Sequence, residues 1–129
     1  MADVNRGNRP LSPHLQVYKL PIAAVTSILS RVTSVALVVG LLMITWWLVA
    51  AVSGPDAFDF ADGLLRSWFG FLVMLGATWA LIYHALAGIR HLFYDAGIGI
   101  EIEAAQKSSW VIIVGSVVLT LLSLILFFV

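Results

Sequence analysis

Cysteine is absent from this sequence of 129 residues, and charged residues are scarce. Without cysteine there is no disulfide framework, no thiolate metal site and no thiol nucleophile, so any electron transfer would depend on a bound cofactor. Charged residues make up 11% of the chain, against about 25% in soluble domains. The formal net charge is +0, which gives no electrostatic reason to expect nucleic acid as a partner.

Long apolar runs dominate what is present, since 61% of the residues are hydrophobic. Three stretches contain no Asp, Glu, Lys or Arg, namely residues 32–55, 67–89 and 108–129. Each is longer than the roughly 20 residues that a helix needs to cross a hydrocarbon core. The sequence therefore predicts an all-α integral membrane protein, a single membrane-anchor domain over 1–129 with three transmembrane helices. The predicted spans lie near 28–52, 67–92 and 108–128.

The connecting segments 53–63 and 95–109 contain most of the acidic residues, with glycines and a proline, and are predicted as loops. Basic residues near the span ends indicate orientation. Arg6, Arg9, Lys19 and Arg31 lie before or at the start of the first span, and Arg90 and Lys107 border the second loop. The first loop contains only one basic residue, Arg66. We expect a cytoplasmic N-terminus and a periplasmic C-terminus in a bacterial inner membrane, or the equivalent arrangement in a mitochondrial inner membrane.

His84 is the ionisable residue placed deepest in a predicted span, about 9 Å along the helix from Arg90. Such a residue is a functional candidate because an unpaired polar group is costly in lipid. At 100° per residue, His84 shares a stripe with Gly88, His91 and Asp95. The glycine leaves room beside the imidazole for a flat macrocycle. The stripe extends back to Gly76 and Ala80, where helix packing is a sufficient explanation.

The spacing leaves two interpretations of His84 open. It is an axial ligand of haem iron, or it forms an interhelical hydrogen bond or relays protons without a cofactor. His91 lies about 10.5 Å further along the same face, so it cannot oppose His84 across one iron. If haem is bound, a second axial ligand is expected from a different subunit.

The start of the first predicted span carries Ser27, Arg31 and Ser34 on one face, at spacings of four and three residues. Arg31 either extends to lipid phosphate, or pairs with a carboxylate such as a haem propionate and orients a polar small molecule together with Ser27. Arg90 is interpreted as an arginine that extends to lipid phosphate.

Three segments carry a family resemblance: RPLSPHLQVYKLP at 9–21, SILSR at 27–31 and HALAGIRHLFYDAG at 84–97. Together they resemble the cytochrome b556 family of succinate dehydrogenase membrane anchors, the larger anchor of respiratory complex II, over essentially the whole chain. The family commonly has histidine directly before the arginine of the first span, where this chain has Ser30.

The resemblance implies half of a heterodimeric haem-binding helical bundle. By the family pattern, His84 is one axial ligand of haem b, and a second small membrane anchor subunit supplies the other. Ser27 and Arg31 match residues that bind ubiquinone, the substrate. Arg31 and His91 match the haem propionate side, and Asp95 matches a polar residue near the same surface. The implied further partners are an iron–sulfur subunit and a flavoprotein subunit, which hold the flavin and succinate sites.

Two alternatives belong to other functional classes. One is a haem-free structural anchor, or a proton-relay or transport subunit in which His84 and Asp95 relay protons. The other is a fumarate reductase anchor, which differs in the favoured direction of reaction and in its quinone.

Overall fold

A computed structural model describes residues 18–129, and these fold into helices joined by short connections. Over that range the order is α1 (Ile22–Ser53), α2 (Pro55–Arg66), α3 (Trp68–Asp95) and α4 (Ile102–Phe128). Three of them, α1, α3 and α4, are long and apolar enough to cross a membrane. The predicted all-α fold with three membrane spans is confirmed. Arg6, Arg9 and most of the segment 9–21 lie outside the described residues.

The segment between the first two spans was predicted as a loop, and this prediction is wrong because most of it forms α2. Pro55 stands at the start of the helix, where its missing N–H is not needed. Asp56 in the first turn and Arg66 in the last turn complement the helix dipole. The Asp62 carboxylate lies 2.6 Å from Nε of Arg66 and also accepts a 3.4 Å hydrogen bond from the indole of Trp47 on α1. The contact with Trp47 holds α2 against the end of α1, and the ion pair with Arg66 lies within α2.

Two glycines set the chain direction at helix ends. Gly54, between α1 and α2, has φ 131°, a conformation that side chains rarely adopt. Gly97, after α3, has φ 75° and donates a hydrogen bond to the carbonyl of Tyr94, while the N–H of Ile98 reaches the carbonyl of Phe93 at 2.9 Å. This pair of bonds is a Schellman motif. It stops α3 directly after the His91 to Asp95 turn.

The three long helices meet through small and hydroxyl-bearing side chains rather than large apolar ones. The buried residues of this kind on α1, α3 and α4 are Thr26, Thr33, Ala50, Gly70, Ala80, Ala87, Ser109, Ser116 and Thr120. Large apolar side chains point outward instead, with Leu41 64% and Val111 69% exposed. Lipid tails are as apolar as leucine, so membrane helices associate by close approach and interhelical hydrogen bonds. The surface of the bundle therefore suits a bilayer.

A small core lies where α1, α3 and α4 converge. Its centre consists of Tyr83, Ala87 and Ile112, and the side chains packed on it are Leu29, Trp79, Leu86 and Ile113. Trp79 also donates from its indole N–H to the Ser116 hydroxyl on α4, at 3.2 Å. This core supports the part of α3 that carries His84 and Arg90.

Candidate functional site

His84 lies on α3 at the seam with α1 and is half-buried. Its Nδ1 atom is 3.2 Å from the carbonyl oxygen of Ser30 and 3.3 Å from Oγ1 of Thr33. A carbonyl oxygen only accepts, so the contact with Ser30 requires Nδ1 to carry the proton. The Thr33 hydroxyl donates back to carbonyls of α1, including that of Leu29 at 2.9 Å. The Thr33 oxygen is therefore also free to accept from Nδ1.

In the neutral imidazole, a proton on Nδ1 leaves a free lone pair on Nε2. Among residues 18–129, no side chain or backbone group forms a hydrogen bond to Nε2. Histidines that bind metals usually donate the other ring N–H to a carbonyl or carboxylate, which fixes the ring orientation. One turn along α3, a Cβ built on Gly88 would meet nothing within 4 Å. The ring is thus anchored on one side and faces open space on the other.

Ser27 and His91 come together at the same seam, one or two turns from His84. They line a pocket of about 270 Å³ whose other lining residues are Ala23, Arg90, Tyr94, Ile100 and Ala105. The Nδ1 atom of His91 donates to the carbonyl of Ala87 on its own helix at 2.7 Å. The Ser27 hydroxyl and Nε2 of His91 therefore provide a donor and an acceptor at one polar pocket.

Arg31 and Asp95 do not line this pocket. Arg31 is exposed on α1 next to Ser30, the residue whose carbonyl holds His84, so it lies at the depth of that imidazole. Asp95 is the exposed last residue of α3. Within residues 18–129 neither side chain forms an ion pair. The predicted site residues thus lie at two depths along one seam. His84 and Arg31 lie at one depth, and Ser27 and His91 lie at the other.

Arg90 does not extend to lipid phosphate, so that interpretation is wrong. Its side chain is only 7% exposed, and Nη1 donates to the hydroxyls of Thr26 on α1 (3.1 Å) and Ser109 on α4 (2.9 Å). The Tyr83 hydroxyl donates to the carbonyl of Thr26 at 2.8 Å. We name these four residues, Thr26, Tyr83, Arg90 and Ser109, the three-helix cluster. It ties all three membrane helices together beside the Ser27 pocket.

Several residues that contact one another across the helices are not evident from the sequence, because their signals there are weak. Thr26, Thr33 and Ser109 are hydroxyls in apolar runs, and such groups usually bond a carbonyl of their own helix. Their interhelical partners depend on the register between helices, which no spacing rule along one helix provides. Tyr83 carries no signal of this kind in the sequence, yet it is fully buried and its hydroxyl bonds across to α1.

Replacing Tyr83 with phenylalanine tests the three-helix cluster with little change of shape. The variant leaves the Thr26 carbonyl without the tyrosine hydroxyl, and we expect a loss of about 0.5–1 kcal/mol of stability, the range for one interhelical hydrogen bond. Thermal unfolding of the purified assembly in detergent measures it. Thr78→Val is the matched control, because the Thr78 hydroxyl bonds only the Met74 carbonyl of its own helix. Equal unfolding temperatures for wild type and Tyr83→Phe would contradict the assignment.

Comparison with known proteins decides the family. Residues 5–123 match the model of the succinate dehydrogenase/fumarate reductase transmembrane subunit. The chain belongs to this family. The match includes all of α1 and α3 and most of α4, and therefore every residue of the seam.

Curated relatives of this transmembrane subunit agree over nearly full length. The chain is 67% identical over 129 residues to the succinate dehydrogenase cytochrome b556 subunit of Paracoccus denitrificans, which covers 100% of this chain and 99% of the relative. It is 38% identical over 114 residues to the cytochrome b556 subunit of Rickettsia felis, covering 88% and 89%. The cytochrome b560 subunit of Reclinomonas americana is 34% identical over 126 residues, covering 93% and 87%.

Proposed function

We propose that this chain is a cytochrome b membrane anchor of a succinate:ubiquinone oxidoreductase in a bacterial inner membrane. In this proposal it binds haem b jointly with a second small membrane anchor subunit and forms part of the site that reduces ubiquinone. The observation that supports it best is the arrangement at His84, a lipid-depth imidazole with Nδ1 hydrogen-bonded to α1, Nε2 available and open space at Gly88. The names of the relatives, cytochromes of succinate dehydrogenase, agree with it.

The residues of the seam suit haem b. His84 would supply one axial ligand through Nε2, and the carbonyl of Ser30 would hold the ring in orientation. When bound, haem b exchanges a single electron at its iron. Serine in place of the family histidine at position 30 does not change how the His84 ring is oriented, because the contact with His84 comes from the backbone carbonyl. Within residues 18–129 no other histidine lies near enough along α3 to oppose His84, so we assign the second axial ligand to the partner anchor.

Haem propionates are carboxylates and need cations or hydrogen-bond donors near the membrane surface. Arg31 is a permanent cation on the same side of α1 as Ser27, and it has no carboxylate partner within residues 18–129. His91 lies about two turns from His84 toward the end of α3. We therefore assign Arg31 and His91 to the propionate side, with Asp95 as a polar residue at the edge of that surface.

Ubiquinone is the substrate that the Ser27 pocket suits. Reduction of a quinone places negative charge on its carbonyl oxygens, and pre-oriented donors stabilise that charge. Ser27 provides a hydroxyl donor at the pocket. Arg31 lies outside the pocket lining, but it places a positive charge one helical turn away along α1. His91 lines the same pocket, and with Nδ1 bonded to the Ala87 carbonyl its Nε2 atom can accept a hydrogen bond there.

The remaining chemistry belongs to other subunits of the complex. The chain contains no cysteine for iron–sulfur clusters, so electrons from succinate would arrive through an iron–sulfur subunit and a flavoprotein subunit. The family description covers both succinate dehydrogenase and fumarate reductase. The curated relatives described above are succinate dehydrogenase subunits, which favours succinate oxidation as the physiological direction.

Purification of the complex in mild detergent tests the proposal. We expect co-purifying flavoprotein, iron–sulfur and second anchor subunits, and a sharp α band when dithionite reduces the oxidised sample. Ubiquinone reduction with succinate should exceed fumarate reduction with a quinol. A colourless preparation would favour the haem-free anchor or proton-relay interpretation, and faster fumarate reduction would favour the fumarate reductase alternative.

Substitutions at the seam separate quinone binding from haem binding. Ser27→Ala should raise the KM for ubiquinone several-fold, since one hydrogen bond is worth about 0.5–1.5 kcal/mol. Arg31→Ala should lower turnover by about tenfold or more, because a charge-assisted contact is worth about 1.5–3 kcal/mol. Steady-state kinetics with a short-chain ubiquinone measures both effects, and the haem α band should persist in each variant.

Ser34→Ala is the matched control for these variants. Ser34 lies on the same stripe of α1, but its hydroxyl bonds the carbonyl of Ser30 and it does not line the pocket. Its kinetics should equal those of the wild type. Wild-type KM values in Ser27→Ala would remove Ser27 from the quinone site.

A further inference from the structure

The helix α2 folds back beside the last turns of α1 instead of extending away from its end. Phe58 packs on Trp47, with the ring centres 5.6 Å apart, and Phe60 meets Trp46 edge-on at 6.3 Å. Trp47 is six residues before Ser53, the last residue of α1, so it lies about 9 Å back along the helix axis. α2 therefore lies at the depth of the last two turns of a membrane span.

The surface of α2 divides into three faces when 100° is counted per residue. Its less exposed apolar residues fall within about 60° of one another and face the bundle, namely Phe58, Ala61 and Leu65. A second apolar group, also within about 60°, is exposed, and consists of Ala57, Phe60 and Leu64. We name this second group the outer apolar face. The charged residues occupy the remaining arc and are Asp56, Asp59, Asp62 and Arg66.

The charged arc determines how α2 is turned about its own axis. Within residues 18–129, Asp62 is the only one of its three carboxylates with an ion-pair partner, which is Arg66. Asp56 and Asp59 are exposed and have none there, so both must face water, because an unpaired carboxylate in hydrocarbon is costly. The outer apolar face is centred about 130° from the three aspartates around the helix. When the aspartates face water, the outer apolar face therefore points toward the bilayer.

The outer apolar face is largely uncovered by residues 18–129 and continues onto a membrane span. Phe60 is 71% exposed and Leu64 is 41% exposed. Phe60 contacts Trp46 of α1, which is itself exposed, so the apolar surface of α1 and that of α2 form one patch. Tryptophan is enriched where hydrocarbon meets the lipid head groups. A helix with one charged and one apolar face, at the end of a span, is typical of helices that lie in the plane of the membrane interface.

We propose that the outer apolar face of α2 inserts among the lipid acyl chains of the leaflet opposite the Ser27 pocket. The acyl chains contact Phe60 and Leu64, and the aspartates stay in water at the level of the head groups. This insertion fixes the depth of the bundle, which the length of α1 does not, because its 32 residues extend about 48 Å against a hydrocarbon core of about 30 Å. The proposal is independent of the haem and quinone assignments.

Fluorescence quenching on the intact complex tests this insertion. The chain has no cysteine, so Phe60→Cys and Leu64→Cys each introduce one site for a bimane label, and the wild-type complex treated with bimane gives the background from other subunits. The complexes are reconstituted in phosphatidylcholine vesicles that contain dibrominated phosphatidylcholine. We expect bimane at either position to lose most of its emission when the bromines lie near the head-group end of the acyl chain, because interfacial helices insert only shallowly. Bromines near the methyl end should quench less, and iodide in the water should quench almost nothing.

Asp59→Cys is the matched control. Asp59 is next to Phe60 in the sequence and is also exposed, but it belongs to the charged arc. Bimane at this position should be quenched by iodide and much less by either brominated lipid. Leu64→Cys repeats the test without removing the contact between Phe60 and Trp46, so a folding defect in Phe60→Cys would not prevent a decision.

Three patterns of quenching would overturn the proposal. Iodide quenching at positions 60 and 64 as strong as at position 59 would place the outer apolar face in water. Protection of both positions from iodide and from brominated lipid would show that another subunit covers this face. Stronger quenching by bromines near the methyl end of the acyl chain would place α2 too deep for an interfacial helix.

Discussion

Replacing His84 with alanine should remove the haem α band from the purified complex almost completely. The variant removes the nitrogen that we propose binds the haem iron. The Ser30 carbonyl, which lies 3.2 Å from the imidazole, then has no iron ligand to orient. The methyl side chain of alanine has no atom that can bind iron. Reduced-minus-oxidised spectra, normalised to the subunit content of the preparation, measure the loss.

Two companion variants separate ligation from general damage. His91→Ala also removes a histidine from α3, yet it lies about 10.5 Å from His84 along the helix and should keep most of the α band. Thr33→Val removes only one contact of the His84 ring, at 3.3 Å, and should weaken haem affinity by roughly 10-fold to 100-fold, as loss of an outer-shell partner does. A full α band in His84→Ala would show that the ligand comes from elsewhere.

Replacing Gly88 with phenylalanine should also prevent haem incorporation, even though His84 is unchanged. The space beside Gly88 contains no atom of the described chain within 4 Å of a Cβ built there. A phenyl group would therefore fit this bundle without displacing its own helices, but it would fill the volume beside the imidazole that we assign to porphyrin. The haem-to-protein ratio, by pyridine haemochrome, should fall by about fivefold or more, since overpacking typically costs about 1–3 kcal/mol.

Gly76→Phe is the matched control for this position. Gly76 is also on α3, and its Cβ position is equally open within the described chain. It is about 18 Å from Gly88 along the helix axis, too far to touch a haem held by His84. The control should keep its haem. Normal haem content in Gly88→Phe would mean that the macrocycle lies on another face, and equal losses in both variants would indicate a general fault in assembly.

The sequence predicted the membrane helices well because a single physical quantity decides them. A charged side chain in hydrocarbon is costly, so the charge-free stretches mark the spans directly. The helix α2 was missed because its Asp56, Asp59, Asp62 and Gly63 have the composition of a loop. What makes it helical is partly tertiary, since Asp62 bonds Trp47 of another helix.

The candidate site was predictable only as far as one helix at a time. The depth of His84, its shared face with Gly88 and His91, and the Ser27 stripe all follow from helical spacing. The rotation of α1 and α4 against α3 decides which carbonyl holds the imidazole. It also decides whether Arg90 faces lipid or hydroxyl groups. The register that brings Thr26 to Ser109 at 3.2 Å is a property of the packed bundle.

The distribution of side-chain size across this bundle reverses the usual pattern of mutational tolerance. In a water-soluble protein the large aliphatic residues are the sensitive ones, whereas here exchanging one for another on a lipid-facing surface only changes which acyl chain it touches. The vulnerable positions are the small ones, such as Ser109, Ser116 and Ala87, which are all 0% exposed. At these positions even one additional carbon must push two helix axes apart.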